Sequence, residues 1–383
     1  MNATLLLCRI VGLAVFGAVA IIPVSADTGF SIYPNTAVLG SSVSFYDYGR
    51  LESKVSQYPV GFFDRSSDAL GYGAAYSNIF GYPGGRPMIG MFPHIEFGFT
   101  TGAGVYRLDR YKDMNRNNLE SPGAGGNAVL HFGTGLSPDS DITVKLMLNP
   151  GFRISALDRS KSSSGRTYDF EWRKMDIFST GAKWRTYILR GQDNPSWTAS
   201  FNGITFGLAG DYMHVKAVGR GTYVDNRGIS FSITDLGTGT EKISVPVETT
   251  VRGKASTGWD VASLTPEVMV HANLLYVLGV YTGPSVSLNA GKVYVSSRTT
   301  GSMVNKSDIY DASGTVKLVD ANSTVATAQM NVQEYIYVPA VIPRWVVGFE
   351  LNFWKVKMQI ETADVLTHPV SSFTAQAGLR VEL

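Results

Sequence analysis

The chain carries five histidines, His94, His131, His214, His271 and His368, and they are scattered rather than grouped at metal-ligand spacing. No H-E-x-x-H, G-x-S-x-G or Walker loop occurs. The glycine-rich stretch Gly98 to Gly104 lies within a strand-like run, so it suits strand bending rather than a dinucleotide loop. A Ser, His and Asp set that meets only in the fold is compatible with such a chain, but the pattern reads as non-enzymatic, with no catalytic residue, metal or cofactor. The informative side chains are polar ones that recur on one side of alternating segments: His94, Glu96, Asn127, His131, Lys145, Asn149, Arg153, Lys183, Arg185, Glu267, His271, Asn273, Glu350, Arg380 and Glu382. Both signs of charge are present. Such groups can pair across a dry interior, where an unpaired charge is costly, or line a water-filled conduit whose charges tune passage. Any single residue reads as structural and the set reads as a conduit, with His94, Glu96, His131, Lys145, Asn149, Arg153, His271 and Glu350 as lumen-lining candidates.

The elements that must position these groups are strands. Side chains on a strand point alternately to opposite faces, and from Ser372 to Leu383 one face reads Phe373, Ala375, Ala377, Leu379, Val381, Leu383 against Ser372, Thr374, Gln376, Gly378, Arg380, Glu382. The same parity runs through His94 to Val105, Asn127 to Leu136 and Ile142 to Ala156, and strands are also expected at Phe178 to Ile188, Gly203 to Val215, Val268 to Leu278 and Ser285 to Val295. Near the end, Trp345 to Phe353 and Trp354 to Ile360 alternate with opposite parity. A tight reversal between Phe353 and Trp354 explains the flip and would set both rings at a membrane boundary. Asn149-Pro150-Gly151 interrupts a central strand, because proline lacks a ladder donor and glycine packs nothing. It reads as a kink, either a tolerated bulge or a gap in the wall opening sideways to lipid.

Short turns such as Ser137 to Asp141 alternate with long polar segments at Asp109 to Gly126, Asp158 to Thr167, Gly219 to Thr257 and Thr299 to Asn331. That is the habit of a membrane barrel, with short turns inside and long loops outside. Taking Glu334 to Phe353 as one strand despite Pro339 and Pro343 gives ten strands, with hairpins hidden at Gly219 to Thr257 or near the N-terminus raising the count to 12 or 14. The expected fold is therefore all-β, a transmembrane antiparallel up-and-down barrel of even strand number between 10 and 14 over residues 91–383.

Residues 1–26 read as a secretory signal peptide: Arg9, an apolar run from Ile10 to Val24, and a small-residue junction at Val24-Ser25-Ala26. The single cysteine, Cys8, falls inside it, so disulfides and thiolate metal sites are excluded from the exported chain. Beyond it no apolar run approaches the roughly 20 residues of a spanning helix. A net charge of +2 with interspersed signs gives no reason to expect nucleic acid, while 41 glycines with 19 tyrosines and 19 phenylalanines suit a glycine-rich sheet. Residues 27–90 alternate poorly, with a short helix expected around Tyr46 to Val55. Asp27 to Arg86 could form an extra hairpin, an unstructured lead or a plug in the lumen.

The terminal pattern Gln376, Gly378, Val381, Leu383 resembles the outer-membrane targeting strand of bacterial barrels. With Ala75-Tyr76-Ser77-Asn78-Ile79-Phe80-Gly81, Phe92-Pro93-His94 and Gly378-Leu379-Arg380-Val381-Glu382-Leu383, the chain resembles bacterial outer-membrane β-barrels of the broad class that includes the long-chain fatty-acid transport porins, and is similar to spirochaetal barrel proteins. The resemblance implies a 14-stranded barrel plugged by an N-terminal segment, matched by Asp27 to Arg86, and a kinked strand that releases ligand sideways, matched by Pro150 and Gly151. It implies outer-membrane lipid and the barrel-assembly machinery as partners, after export. The expected function is a channel or transporter for small apolar or polar solutes; the alternative is a surface-exposed adhesion or structural barrel acting through its long loops.

Overall fold

The computed structural model describes residues 29–34, 43–44, 69–82, 84, 95–107, 123–152, 159–163, 166–191, 199–226, 229–235, 239–245, 247–274, 277–310, 314–315, 317–369 and 371–383. The expected signal peptide and the helix around Tyr46 to Val55 lie outside the described residues.

Ten strands form the wall: β1 (Ile95–Tyr106), β2 (Gly123–Ser137), β3 (Ser140–Phe152), β4 (Arg166–Arg190), β5 (Ala199–Asp225), β6 (Val247–Leu274), β7 (Leu278–Asn305), β8 (Val341–Phe353), β9 (Val356–Val365) and β10 (Phe373–Glu382). Each pairs antiparallel with the next. β10 returns to β1, from Phe373↔Val105 to Glu382↔Glu96, and this pairing closes the ring. The last amide, Leu383, donates to the Ile95 carbonyl at 2.9 Å. Ring closure satisfies every edge that would otherwise be bare in lipid.

The apolar side of each strand faces outward, with Phe97, Phe99, Leu130, Phe132, Val144, Leu146, Leu148, Phe349 and Ile360 exposed. The polar side, with Glu96, His131, Lys145, Arg185, Glu350 and Arg380, is buried. A soluble barrel would invert this arrangement, so the closed ring with a greasy exterior is a transmembrane barrel. No helix among the described residues is long and apolar enough to span; the crossing is made by strands.

Strand length divides the wall in two. β1, β2, β3, β8, β9 and β10 run 10 to 15 residues, close to the 9–11 a bilayer needs. β4, β5, β6 and β7 run 25 to 28, about 80–95 Å of strand. The long polar segments expected at Gly219 to Thr257 and Thr299 to Asn331 are thus largely strand, a correction with a plain cause: above the bilayer water wets both faces, and the parity signal fades. The strand Thr324–Tyr337 pairs with the upper part of β7 and β8 with its lower part. The single strand expected over Glu334 to Phe353 is therefore two strands, separated at residues 338–340. The strand Gly29–Pro34 adds beyond Thr324–Tyr337, and Arg159–Ser163 pairs with the top of β4. A thirteen-stranded sheet results, in which ten strands close the ring and three extend it on the tall side.

The reversal between Phe353 and Trp354 is present, with Phe353↔Val356 as the closing pair. Trp354 takes a positive φ of 54° and is 90 % exposed.

Candidate functional site

Residues 69–82 pack inside the ring. Residues 69–79 form a helix, and every residue from 69 to 82 is buried except Leu70 and Tyr72, which are half-buried. A helix buried on all sides needs small or apolar residues all round, and Ala69, Ala74, Ala75, Tyr76 and Ile79 supply them. Gly71 and Gly73 each cost roughly 1 kcal/mol of helix propensity. They allow backbone to meet backbone instead: a Cβ on Gly73 would lie 2.6 Å from the Ala124 carbonyl oxygen, and one on Gly125 would lie 1.8 Å from the Gly73 carbonyl oxygen. Ser77 Oγ, which donates to the Gly73 carbonyl at 2.9 Å, also accepts from the Gly126 amide at 3.1 Å. Gly81, at φ 119°, ends the helical segment in a conformation that suits glycine.

Several charges around this helix are matched, while the buried Arg344 meets the Ser285 hydroxyl at 3.1 Å. Lys145 Nζ donates to the Asn78 carbonyl at 2.8 Å and the Phe80 carbonyl at 2.7 Å, and pairs with Asp211 at 2.8 Å. All three ammonium donors are used, and the cation sits at the helix C-terminus, where backbone carbonyls favour it. Tyr82 donates to the same Asp211 at 2.6 Å. Asn78 Nδ2 donates to Ser263 at 2.8 Å, and Gln359 and Gln376 reach the Tyr82 carbonyl at 3.5 and 3.2 Å. The segment 69–82 is therefore tied to six strands of the ring, β2, β3, β5, β6, β9 and β10.

Beneath the helix, toward the short turns, Arg380 bridges Glu96 at 3.1 Å and Glu350. Arg185 forks onto Asp141 at 3.0 and 2.6 Å. Lys183 meets Glu267 at 2.6 Å, and Lys357 meets Glu382 at 2.5 Å. His131 Nδ1 lies 3.3 Å from Thr100 Oγ1, and His271 Nε2 lies 2.8 Å from Thr205 Oγ1. Glu96, His131 and Lys145 have no solvent exposure and Glu350 has 1 %. A water-filled lumen would leave its lining wet. The described lining here is buried, which suits the pairing role.

The candidates Glu96, His131, Lys145, His271 and Glu350 are thus buried in the lumen. Asn149 is half-buried opposite Ile177, high on the wall. His94 and Arg153 lie outside the described residues. Asp211 and Asp141 were not singled out, although Asp211 shares the parity of the inward positions on its strand. Asp141 ends the turn expected at Ser137 to Asp141, and its role depends on an arginine 44 residues away.

At Pro150 and Gly151 the wall changes. The β3–β4 register skips from Asn149↔Ile177 to Phe152↔Met175, a bulge. On the other side, β2 and β3 pair only from Leu130↔Leu146 to Ser137↔Ser140. Above Leu130, β2 remains paired with β1 and β3 with β4, so the seam between β2 and β3 divides. Asn127 Nδ2 reaches across to Ser179 on β4 at 3.2 Å. Gln376, Gly378 and Val381 lie within β10, and Leu383 follows it, 72 % exposed. No cluster of His, Cys, Asp or Glu that could hold a metal occurs among the described residues.

The solved structures that this chain is similar to include the translocator domain of the autotransporter NalP from Neisseria meningitidis, at 10 % identity over 76 % of this chain and 88 % of that one with a TM-score of 0.24. They also include the outer membrane protease OmpT from Escherichia coli, at 12 % identity over 76 % and 96 % with a TM-score of 0.26, and the toluene transporter TbuX from Ralstonia pickettii, at 9 % over 77 % and 89 % with a TM-score of 0.21. No curated protein matches the chain. A family model described as Lsa36-like matches residues 92–383, the whole wall of the barrel, and the chain belongs to that family.

Proposed function

We propose that this protein is an outer-membrane barrel for surface display, whose working part is the tall sheet above the bilayer rather than the lumen. The observation that carries this reading is the asymmetry of the wall. Four adjacent strands of 25 to 28 residues rise from a ring otherwise made of strands of 10 to 15. A bilayer uses about 9–11 residues of each, so more than half of β4, β5, β6 and β7 stands in water. The filled, charge-matched interior supports the same reading, because a conduit gains nothing from a helix stapled into its centre. In this proposal the chain is exported by residues 1–26 and assembled through Gln376, Gly378, Val381 and Leu383. Phe353 and Trp354 rest at the inner membrane-water boundary, and outer-membrane lipid is the immediate partner.

Labelling of intact cells tests it. With Cys8 lost along with the signal peptide, Lys254→Cys, high on β6, should react with a membrane-impermeant maleimide. Lys355→Cys, in the turn after Phe353, should react only after the envelope is opened. The reverse order, or equal labelling, sinks the reading.

A second reading, passage of a small apolar or polar solute, draws on the divided seam beside Pro150 and Gly151. Extending the register from Leu130↔Leu146 sets Ala128 opposite Leu148. A disulfide between cysteines at those positions should abolish uptake of an apolar solute into cells if the seam is a route, and uptake unaffected by the lock removes it.

A further inference from the structure

The outer face of the tall sheet carries a row of three positive charges, none of them in an ion pair among the described residues. Arg220 on β5 pairs directly with Lys254 on β6, and Lys254 directly with Arg298 on β7. All three are exposed on the same side. Like charges placed directly opposite on neighbouring strands repel and weaken a sheet, and this row sets three in succession. The row is flanked by Glu171, which is engaged with Arg173 on its own strand, and by Asn331. None of the three cations forms an ion pair among the described residues, whereas Lys174, Lys306 and Lys317 on the same extramembrane part are each matched with a carboxylate. Arg252, between Thr222 and Thr300 one step higher, extends the exposed basic face.

We infer that this row, Arg220, Lys254 and Arg298, binds a linear sulfated polysaccharide of the extracellular medium. The proposal rests on surface display and names the ligand class of that sheet. Strands spaced about 4.8 Å apart put three cations within about 10 Å, a density that calls for a chain with closely repeated anions rather than a single phosphate. Height decides against lipid. The row stands six residues above the row that joins His214, Asp260 and Lys292, where the exposed Tyr337 pairs with Lys292. Six residues are about 20 Å along a strand, roughly 15 Å of rise at a barrel tilt, against a headgroup layer about 5–8 Å deep.

The test uses the full chain refolded in detergent, with heparin as the probe at about 150 mM salt. The wild type should bind. The variant R220Q/K254Q/R298Q should bind roughly tenfold more weakly or worse, with a salt slope lower by about three counterions. A control that removes three cations elsewhere, K306Q/K317Q/K355Q, should change affinity by less than about twofold if the site is specific. No binding by the wild type, equal loss in both triple variants, or binding to phosphatidylglycerol vesicles without binding to heparin each overturns the assignment. Loss of the heparin result while Lys254→Cys still labels on intact cells overturns the row alone. Failure of the cell labelling overturns surface display with it.

Discussion

Two regions of this molecule hold dense charge and treat it in opposite ways. In the lumen, Arg380, Arg185, Lys183 and Lys145 each meet a carboxylate at bonding distance and are almost wholly buried. On the outer face of the tall sheet, Arg220, Lys254 and Arg298 stand side by side, exposed and with no ion pair among the described residues. The difference follows from solvent. Inside the ring an unpaired ion loses hydration worth several kcal/mol and must recover it from a partner, whereas at the surface water and salt screen the repulsion within about 8–10 Å. Matched charge in the lumen therefore reports what holds the barrel shut. Unmatched charge outside is a feature the fold tolerates without needing it.

The largest effect should come from breaking a lumen pair. Arg380→Met leaves Glu96 and Glu350 buried together without their common partner, a loss of about 3–5 kcal/mol. The temperature at which the folded band converts on semi-native gels should drop accordingly, and an unchanged transition would contradict a dry, paired interior. Next comes Gly125→Val, which places a side chain where the Gly73 carbonyl already sits. Overpacking of this kind costs about 1–3 kcal/mol, and the helix must move. Planar bilayers should then show ion conductance steps for the variant and none for the wild type. A folded variant that stays silent would mean that the helix does not close the lumen.

The parts that the chain discloses before folding are those where two solvents meet. Lipid on one side and a polar lumen on the other impose strict alternation, so the strands near the membrane, the turn at Phe353 and the ten strands of the ring are readable, whereas the break at residues 338–340 is not. Above the bilayer that contrast vanishes. Gly219 to Thr257 therefore looks like loop although β5 extends to Asp225 and β6 begins at Val247. The helix at 69–79 was hidden for a related reason: enclosed on all sides, it has no polar face and so no period, and its two glycines count against a helix until the strand backbone they touch is known. Lys145 could be assigned to the interior by parity. Its partner Asp211 could not be named, because the two meet only when β3 through β5 curve round to bring them together.

Relieving the outer row should have the opposite sign from opening a lumen pair. Lys254→Gln removes repulsion with both neighbours and should stabilise the barrel by about 0.2–0.5 kcal/mol at low salt, a gain that disappears near 1 M salt, where screening acts within about 3 Å. Destabilisation on the scale of Arg380→Met would show that the row is structural after all.

The smallest effect belongs to Asp308, on the extramembrane segment beyond β7. The Ala321 amide donates to Asp308 Oδ1 at 2.7 Å, and Lys317 lies 3.3 Å from the same oxygen. The amide first and the ammonium second hold this carboxyl below its ordinary value of 3.8. A depressed folded value contributes order that is complete above the unfolded value and is lost as pH falls through the folded one. Amide exchange at Ala321 should therefore be slow at neutral pH and quicken, beyond its intrinsic pH trend, only below about pH 4, with the rest of the tall sheet unaffected. Asp308→Asn should exchange faster than wild type at neutral pH and lose the acid transition. If the two chains exchange alike across that range, the carboxylate does not order the segment, and surface charge here contributes even less to the fold than the outer row does.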